Sequence, residues 1–160
     1  MGYLGDQKAA VNDFNEAKKI LDTNYTGVVS LLNIIANDYE SLKSGWIVGI
    51  SSVAGDRGRK SNYIYGSAKA ALTAYLSGLR NRLFDCGVFV LTVKPGFVNT
   101  KMTKGLDLPL MLTSQPQEVA TNIYKAQQKN KNVIYTKRIW KYVMLIIKFI
   151  PEWKFKKMNI

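Results

Sequence analysis

Tyr65 and Lys69 stand four residues apart in a stretch of small side chains, YGSAKAAL, so on a helix they share one face and can meet. A tyrosine hydroxyl titrates near ~10 in water, too high for an easy proton shuttle at neutral pH. An ammonium one turn away favours the phenolate, and is expected here to lower that value. A phenol tuned in this way gives a proton to a forming alkoxide or takes one from an alcohol, help typically worth ~10²–10⁴ in rate. Ser52 stands thirteen residues ahead of Tyr65, where its hydroxyl could hold the same oxygen. The plain alternative is a Tyr/Lys pair that merely faces solvent.

Those residues need elements to position them. Trp46 to Ile50 is a short, β-branched apolar run that reads as a buried strand ending at Ser51-Ser52. A loop with Arg57, Arg59 and Lys60 follows, then a helix over about Tyr63 to Asp85. Gly87 to Val93 reads as a second buried strand, closed by Lys94-Pro95-Gly96. Upstream, residues 1–7 read as a loop and Ala9 to Leu42 as a helix bent near Asn24 and Gly27. Downstream, Ser114 is expected to cap a helix with Pro116 in its first turn, reaching about Lys129, before a last strand at Val133-Ile134-Tyr135. Helices alternating with strands argue an α/β layout with a parallel sheet, whose ligands sit beyond the carboxyl ends of the strands. Ser52 and Pro95-Gly96 both fall at such ends.

Four motifs in order resemble the short-chain dehydrogenases/reductases: Asp22-Thr23-Asn24-Tyr25-Thr26-Gly27; Ser51-Ser52-Val53-Ala54-Gly55; Tyr65-Gly66-Ser67-Ala68-Lys69; and Lys94-Pro95-Gly96-Phe97-Val98-Asn99-Thr100. The resemblance runs from about residue 2 to about residue 136. It implies an NAD- or NADP-dependent oxidoreductase that moves a hydride between nicotinamide and a carbonyl or hydroxyl substrate. By the same resemblance Tyr65 is the acid/base and Lys69 also contacts the nicotinamide ribose. Ser52 orients the substrate carbonyl, and Asn24 supports a proton relay. Pro95, Gly96, Val98 and Thr100 would line the nicotinamide side of the cofactor, and Thr103 to Thr113 would form a mobile lid. Pairing through the two long helices, giving a homo-oligomer, is expected as well.

Composition narrows the chemistry. The 160 residues are 47% apolar, enough for a sizeable core in one domain. There is no histidine, which removes Ser-His-Asp and Cys-His catalysis and every His-based metal site. A single cysteine, Cys86, allows no disulfide framework and no Cys-rich zinc site, so no metal is expected and a reducing cytoplasm fits. A Ser52/Lys69 hydrolase ranks last, because the glycine-flanked nucleophile elbow is missing.

The net charge of +12 is unevenly placed. Residues 1–124 hold 13 basic and 10 acidic side chains, whereas residues 125–160 hold 10 basic ones and only Glu152. The chain therefore divides into a body, 1–136, and a tail, 137–160. In the tail Ile139, Tyr142, Val143, Ile146, Phe149, Ile150 and Trp153 keep helical spacing among lysines. Its longest uncharged run, Tyr142 to Ile147, is far too short to span a bilayer. A basic amphipathic helix of this kind lies in a membrane interface or covers its own protein's core. Nucleic-acid binding is not expected, because the basic residues alternate with a wide apolar stripe.

No Gly-rich strand–turn–helix fingerprint for a pyrophosphate occurs in the sequence. The expected architecture is thus a partial doubly wound, Rossmann-like parallel sheet lacking its first strands, with an amphipathic helical tail. The expected function is that of a truncated reductase of this family, poor at holding its cofactor alone. An apolar substrate, a lipid or lipid-linked sugar, suits the lid and tail. The alternative is a non-catalytic remnant or a protein that binds a membrane interface, with a vestigial site.

Overall fold

The computed structural model describes residues 2–160; Met1, the first residue of the loop expected over 1–7, lies outside them. In chain order the elements are α1 (Gln7–Asn12), α2 (Phe14–Leu21), α3 (Gly27–Leu42), β1 (Gly45–Ile50), α4 (Tyr63–Arg82) and β2 (Val88–Pro95). They are followed by β3 (Phe97–Val98), β4 (Thr113–Ser114), α5 (Pro116–Gln128), β5 (Val133–Thr136), α6 (Ile139–Phe149) and α7 (Glu152–Phe155).

The two apolar runs pair as neighbours in a three-stranded parallel sheet of order β1-β2-β5, with β2 at its centre. Gly45 lies opposite Val88 and Ile50 opposite Val93, and β5 joins the far side of β2 with Val133 opposite Thr92. Near-continuous apolar strands suit a sheet with helices on its faces. On one face Leu72, Leu76, Leu79 and Leu83 around α4, with Ala36 of α3, bury Ile47, Val88 and Val90. On the other, Ala126 of α5 meets Leu91 and Val93. This is the α/β parallel layout expected from the sequence. Among the described residues no strand pairs with the outer edge of β1.

Two local expectations need correction. The helix expected over 9–42 begins at Gln7 and breaks at Asp13, because both Asp6 and Asp13 act as N-caps: the Asp6 carboxylate accepts from Lys8 N and Ala9 N, and Asp13's from Asn15 N at 2.9 Å. The bend at Asn24 is real and takes the form of one π-helical turn, Asp22–Thr26. Ser114 is not a helix cap. It is buried in β4 opposite Val98, and Gln115 takes the cap position with Pro116 starting α5.

The tail is two-sided. Trp140 and Met144 of α6 are buried with Val53, and Phe97, Leu112, Tyr135, Val143 and Ile147 pack around them. The indole of Trp140 occupies the space a Cβ at residue 96 would need, and its Nε1 donates to Leu112 O at 2.9 Å. Only glycine fits at that position. One face of α6 thus closes the protein's own core beyond the carboxyl ends of β2 and β5. No helix among the described residues is long and apolar enough to cross a membrane.

Arg57 fastens the tail. Its guanidinium donates to Ile147 O at 2.6 Å, Lys148 O at 3.3 Å and Ile150 O at 2.6 Å, carbonyls at the end of α6. It also meets the Glu152 carboxylate at 2.8 Å and stacks 3.7 Å from the Phe155 ring centroid. Arg57→Ala leaves those carbonyls to solvent. We expect release of the tail, costing about 2 kcal/mol for the lost charged hydrogen bonds, or roughly thirtyfold in local opening. Limited trypsinolysis at Lys141 and Lys148 measures it.

Candidate active site

The parallel pairing of β1 with β2 continues one residue past the strand, with Ser51 N donating to Val93 O at 2.8 Å. The two serines that follow β1 then part ways. The Ser51 hydroxyl turns to α4, donating to Lys69 O at 2.9 Å and lying 2.7 Å from Thr73 Oγ1. The Ser52 hydroxyl turns to the Tyr65 side and is steadied by Ala54 N, which donates to it at 3.1 Å.

Backbone contact brings the Ser52 loop this close to α4. A Cβ at Gly66 would sit 2.8 Å from Ala54 O, and one at Gly55 would sit 2.6 Å from Ala70 N. Loop and helix therefore touch main chain to main chain, at a distance only two glycines allow. Ser52, Tyr65 and Lys69, singled out in the sequence, converge there.

Lys69 is buried, 5% exposed. Its ammonium donates to Ile50 O at 3.1 Å and lies 5.7 Å from the Tyr65 ring centroid. An ammonium carries three donors, and the Ile50 carbonyl takes one. Burial lowers the Lys69 pKa to about 8. Tyr65 behaves differently from expectation: burial raises its pKa, and the Ser52 hydroxyl acts in the opposite direction. Desolvation penalises both charged forms, and it outweighs the pull of a lysine that points to a carbonyl.

The remaining sequence candidates lie on the π-turn and on the segment that ends and follows β2. Asn24 is fully buried in the π-turn, and its side chain is committed to the backbone: Nδ2 donates to Tyr3 O at 2.6 Å and Ile20 O at 2.8 Å, while Oδ1 accepts from Tyr3 N at 3.3 Å. It fixes the segment around Tyr3, whose side chain shares a cluster with Tyr65. Pro95 is buried at the end of β2, beside the Ser52 loop. Gly96 lies under Trp140. The Val98 carbonyl accepts the Thr103 hydroxyl at 2.6 Å, and Thr100 caps the turn Lys101–Thr103 at the surface.

Sequence reasoning passed over the network next to Ser52. Asp56, its carboxylate 3% exposed, receives Lys94 Nζ at 2.5 Å and the Tyr135 hydroxyl at 2.7 Å. The signal was a lysine closing an otherwise apolar strand, which has to find a partner when buried. Burial and the Asp56 carboxylate push the Tyr135 hydroxyl well above its ordinary pKa, so it stays protonated and donating. Among the described residues no group of His, Cys, Asp and Glu could hold a metal ion.

A family model described as short chain dehydrogenase matches residues 2–109. The chain belongs to that family. It is 37% identical over 157 residues to an uncharacterized oxidoreductase of Mycobacterium tuberculosis, covering 98% of this chain and 63% of that protein. It is 35% identical over 111 residues to a 3-oxoacyl-[acyl-carrier-protein] reductase of Synechocystis, covering 65% of this chain and 45% of that one. A short-chain dehydrogenase of Sphingobium yanoikuyae, solved in complex with NADPH, superposes with a TM-score of 0.75 at 19% identity, over 95% of this chain and 63% of that one. That likeness shows the Rossmann-like fold. The chain spans a little under two thirds of the length of the relatives it matches along its whole length, 63% of the mycobacterial protein.

Two outcomes are expected of this geometry. Gly66→Ala drives a Cβ against Ala54 O, and overpacking of this kind costs about 1–3 kcal/mol, read as a lower urea midpoint. The buried lysine gives a pH signature. Its pKa falls from 10.5 unfolded to about 8 folded, so between those values the unfolded chain holds the extra proton and stability rises with pH. Below pH 8 the burial cost is fully present. Denaturation of the wild type and of Lys69→Met at stepped pH should show the wild type gaining on the variant across that window, and a flat difference disproves the shift.

Proposed function

We propose that residues 1–136 are the catalytic half of an NAD(P)-dependent oxidoreductase that interconverts a carbonyl and an alcohol. The observation that carries this reading is the convergence of the Ser52 and Tyr65 hydroxyls with the buried Lys69 ammonium at the carboxyl end of β1. When bound, the nicotinamide supplies or accepts the hydride.

The donor set suits the nicotinamide–ribose end of such a cofactor. Lys69 has donors beyond the one given to Ile50 O, and a buried ammonium gains from ribose hydroxyls that accept them. Pro95, Gly96, Val98 and Thr100 would form the wall on the nicotinamide side. The pyrophosphate and adenine have no Gly-rich turn within these 160 residues, so the chain alone is expected to hold NAD or NADP weakly.

In the reducing direction Ser52 holds the substrate oxygen with a hydrogen bond, and Tyr65 gives that oxygen its proton as negative charge builds on it. A tyrosine that burial keeps protonated is suited to donate. Lys69, once its ammonium is engaged, lowers the cost of the phenolate left behind. Asn24 supports the relay by fixing the π-turn and the Tyr3 segment beside the site.

The substrate is an apolar carbonyl compound, a lipid or lipid-linked sugar. Leu110 and Met111, 88% and 81% exposed in the segment expected to be a lid, support this, as does the acyl-carrier reductase among the relatives. Leu31 and Ile34 stand exposed on α3 and favour pairing of two chains through the long helices. The chain works in the cytoplasm, at a membrane surface reached by residues 138–160. The second reading, a non-catalytic interface-binding remnant, rests on the exposed apolar stripe of that tail.

Oxidation of NADPH by the purified chain, offered aliphatic and bulky ketones, tests the redox reading. Tyr65→Phe should lower turnover by about 10²–10⁴ while leaving the fold intact. Turnover untouched by Tyr65→Phe assigns the chain to the second reading.

A further inference from the structure

The tail presents to solvent a stripe that its packing role does not use. Tyr142, Leu145, Ile146, Phe149 and Trp153 are between 53% and 79% exposed, opposite the buried Trp140 and Met144. Their spacing, three, four and seven residues on from Tyr142, puts the α6 members in one line. Between the end of α6 and Lys154 the surface is hollowed into a shallow apolar depression of about 480 Å³. Leu110 and Met111 continue the patch at the amino end of α6, held there because Lys137 Nζ donates to both of their carbonyls, at 3.3 and 3.2 Å.

Lysines rim the patch: Lys141 and Lys148 along α6, then Lys154, Lys156 and Lys157. Glu152 is the one acid from residue 125 to residue 160, and Arg57 already neutralises it. A second copy of this chain would bring the same +12 charge and the same lysines to the contact, so self-association here works against its own field. A negatively charged surface with an apolar interior satisfies both parts of the patch at once. Phe and Trp enter the acyl boundary while the lysines stay among anionic headgroups.

We propose that the outer face of α6 and α7, with Leu110 and Met111, docks the protein onto an anionic phospholipid bilayer. This deepens the reading of the tail as an interfacial element and does not depend on the hydride chemistry. Arg57 holds the two tail helices in the posture that aligns their exposed side chains, so the surface is preformed rather than folded on contact.

The test is flotation of the full chain with vesicles of phosphatidylcholine alone and with one third phosphatidylglycerol. We expect clear enrichment on the anionic vesicles, lost in molar salt, and a drop of roughly fivefold for each of Lys141→Ala and Lys148→Ala. The double variant Phe149→Ser/Trp153→Ser changes only exposed residues; it should abolish flotation with an unchanged circular dichroism spectrum. Tyr65→Phe should float like the wild type, so loss of turnover and loss of membrane binding are separable. Equal partition onto both vesicle types, no flotation at all, or a dimer in sedimentation velocity that Phe149→Ser dissociates, each overturns the proposal.

Discussion

Everything at the candidate site depends on one steric allowance: loop 53–55 and helix α4 meet through bare backbone at Gly55 and Gly66. Side chains at either position would hold the loop off the helix and carry Ser52 away from Tyr65. The hydrogen bonds from Ser51 to Lys69 O and Thr73 add direction, but they act only because the approach is already close. The short distance also buries the Tyr65/Lys69 pair. Contact geometry and the electrical state of the site therefore share a single cause.

Burial sets the two titrating groups against each other. Desolvation makes the ammonium easier to discharge and the phenol harder to ionise, yet with its pKa lowered only to about 8 Lys69 stays an ammonium at neutral pH beside a protonated tyrosine. Tyr65 is thereby kept protonated, and the cation is held at a cost that a hydrogen-bond acceptor would relieve. Asp56, Lys94 and Tyr135 solve the same problem differently, by placing an opposite charge within the buried cluster. Lys69 has no such carboxylate partner among the described residues and donates instead to the Ile50 carbonyl.

Much of this was legible in the residues. The strands at Trp46 and Val88 announced themselves as apolar runs too short for helices, and the four-residue spacing of Tyr65 and Lys69 survived into α4. Local chemistry that competes with periodicity was harder to read. Apolar spacing runs straight through Asp13, yet its carboxylate caps α2 and breaks the helix. Ser114 has the right type for a cap, but pairing with Val98 claims its backbone first. The contacts of Arg57 and Asp56 with residues 79 to 95 positions away leave no mark in a local window, because they exist only once the tail folds over the sheet.

The sheet carries one exposed liability that bears on how the chain works. β1 reads Gly-Trp-Ile-Val-Gly-Ile, with no charge and no proline to blunt its outer edge, and Ile50 at its end is 52% exposed. Among the described residues no strand pairs with this edge, so within the sheet β1 is held by β2 alone. The tail braces the loops that leave β1 and β2 at the carboxyl end of the sheet, with Trp140 over Gly96 and Arg57 bonded to the end of α6. The tail helix is therefore part of the scaffold around the loop that follows β1, because Trp140 and Met144 pack on Val53, next to Ser52.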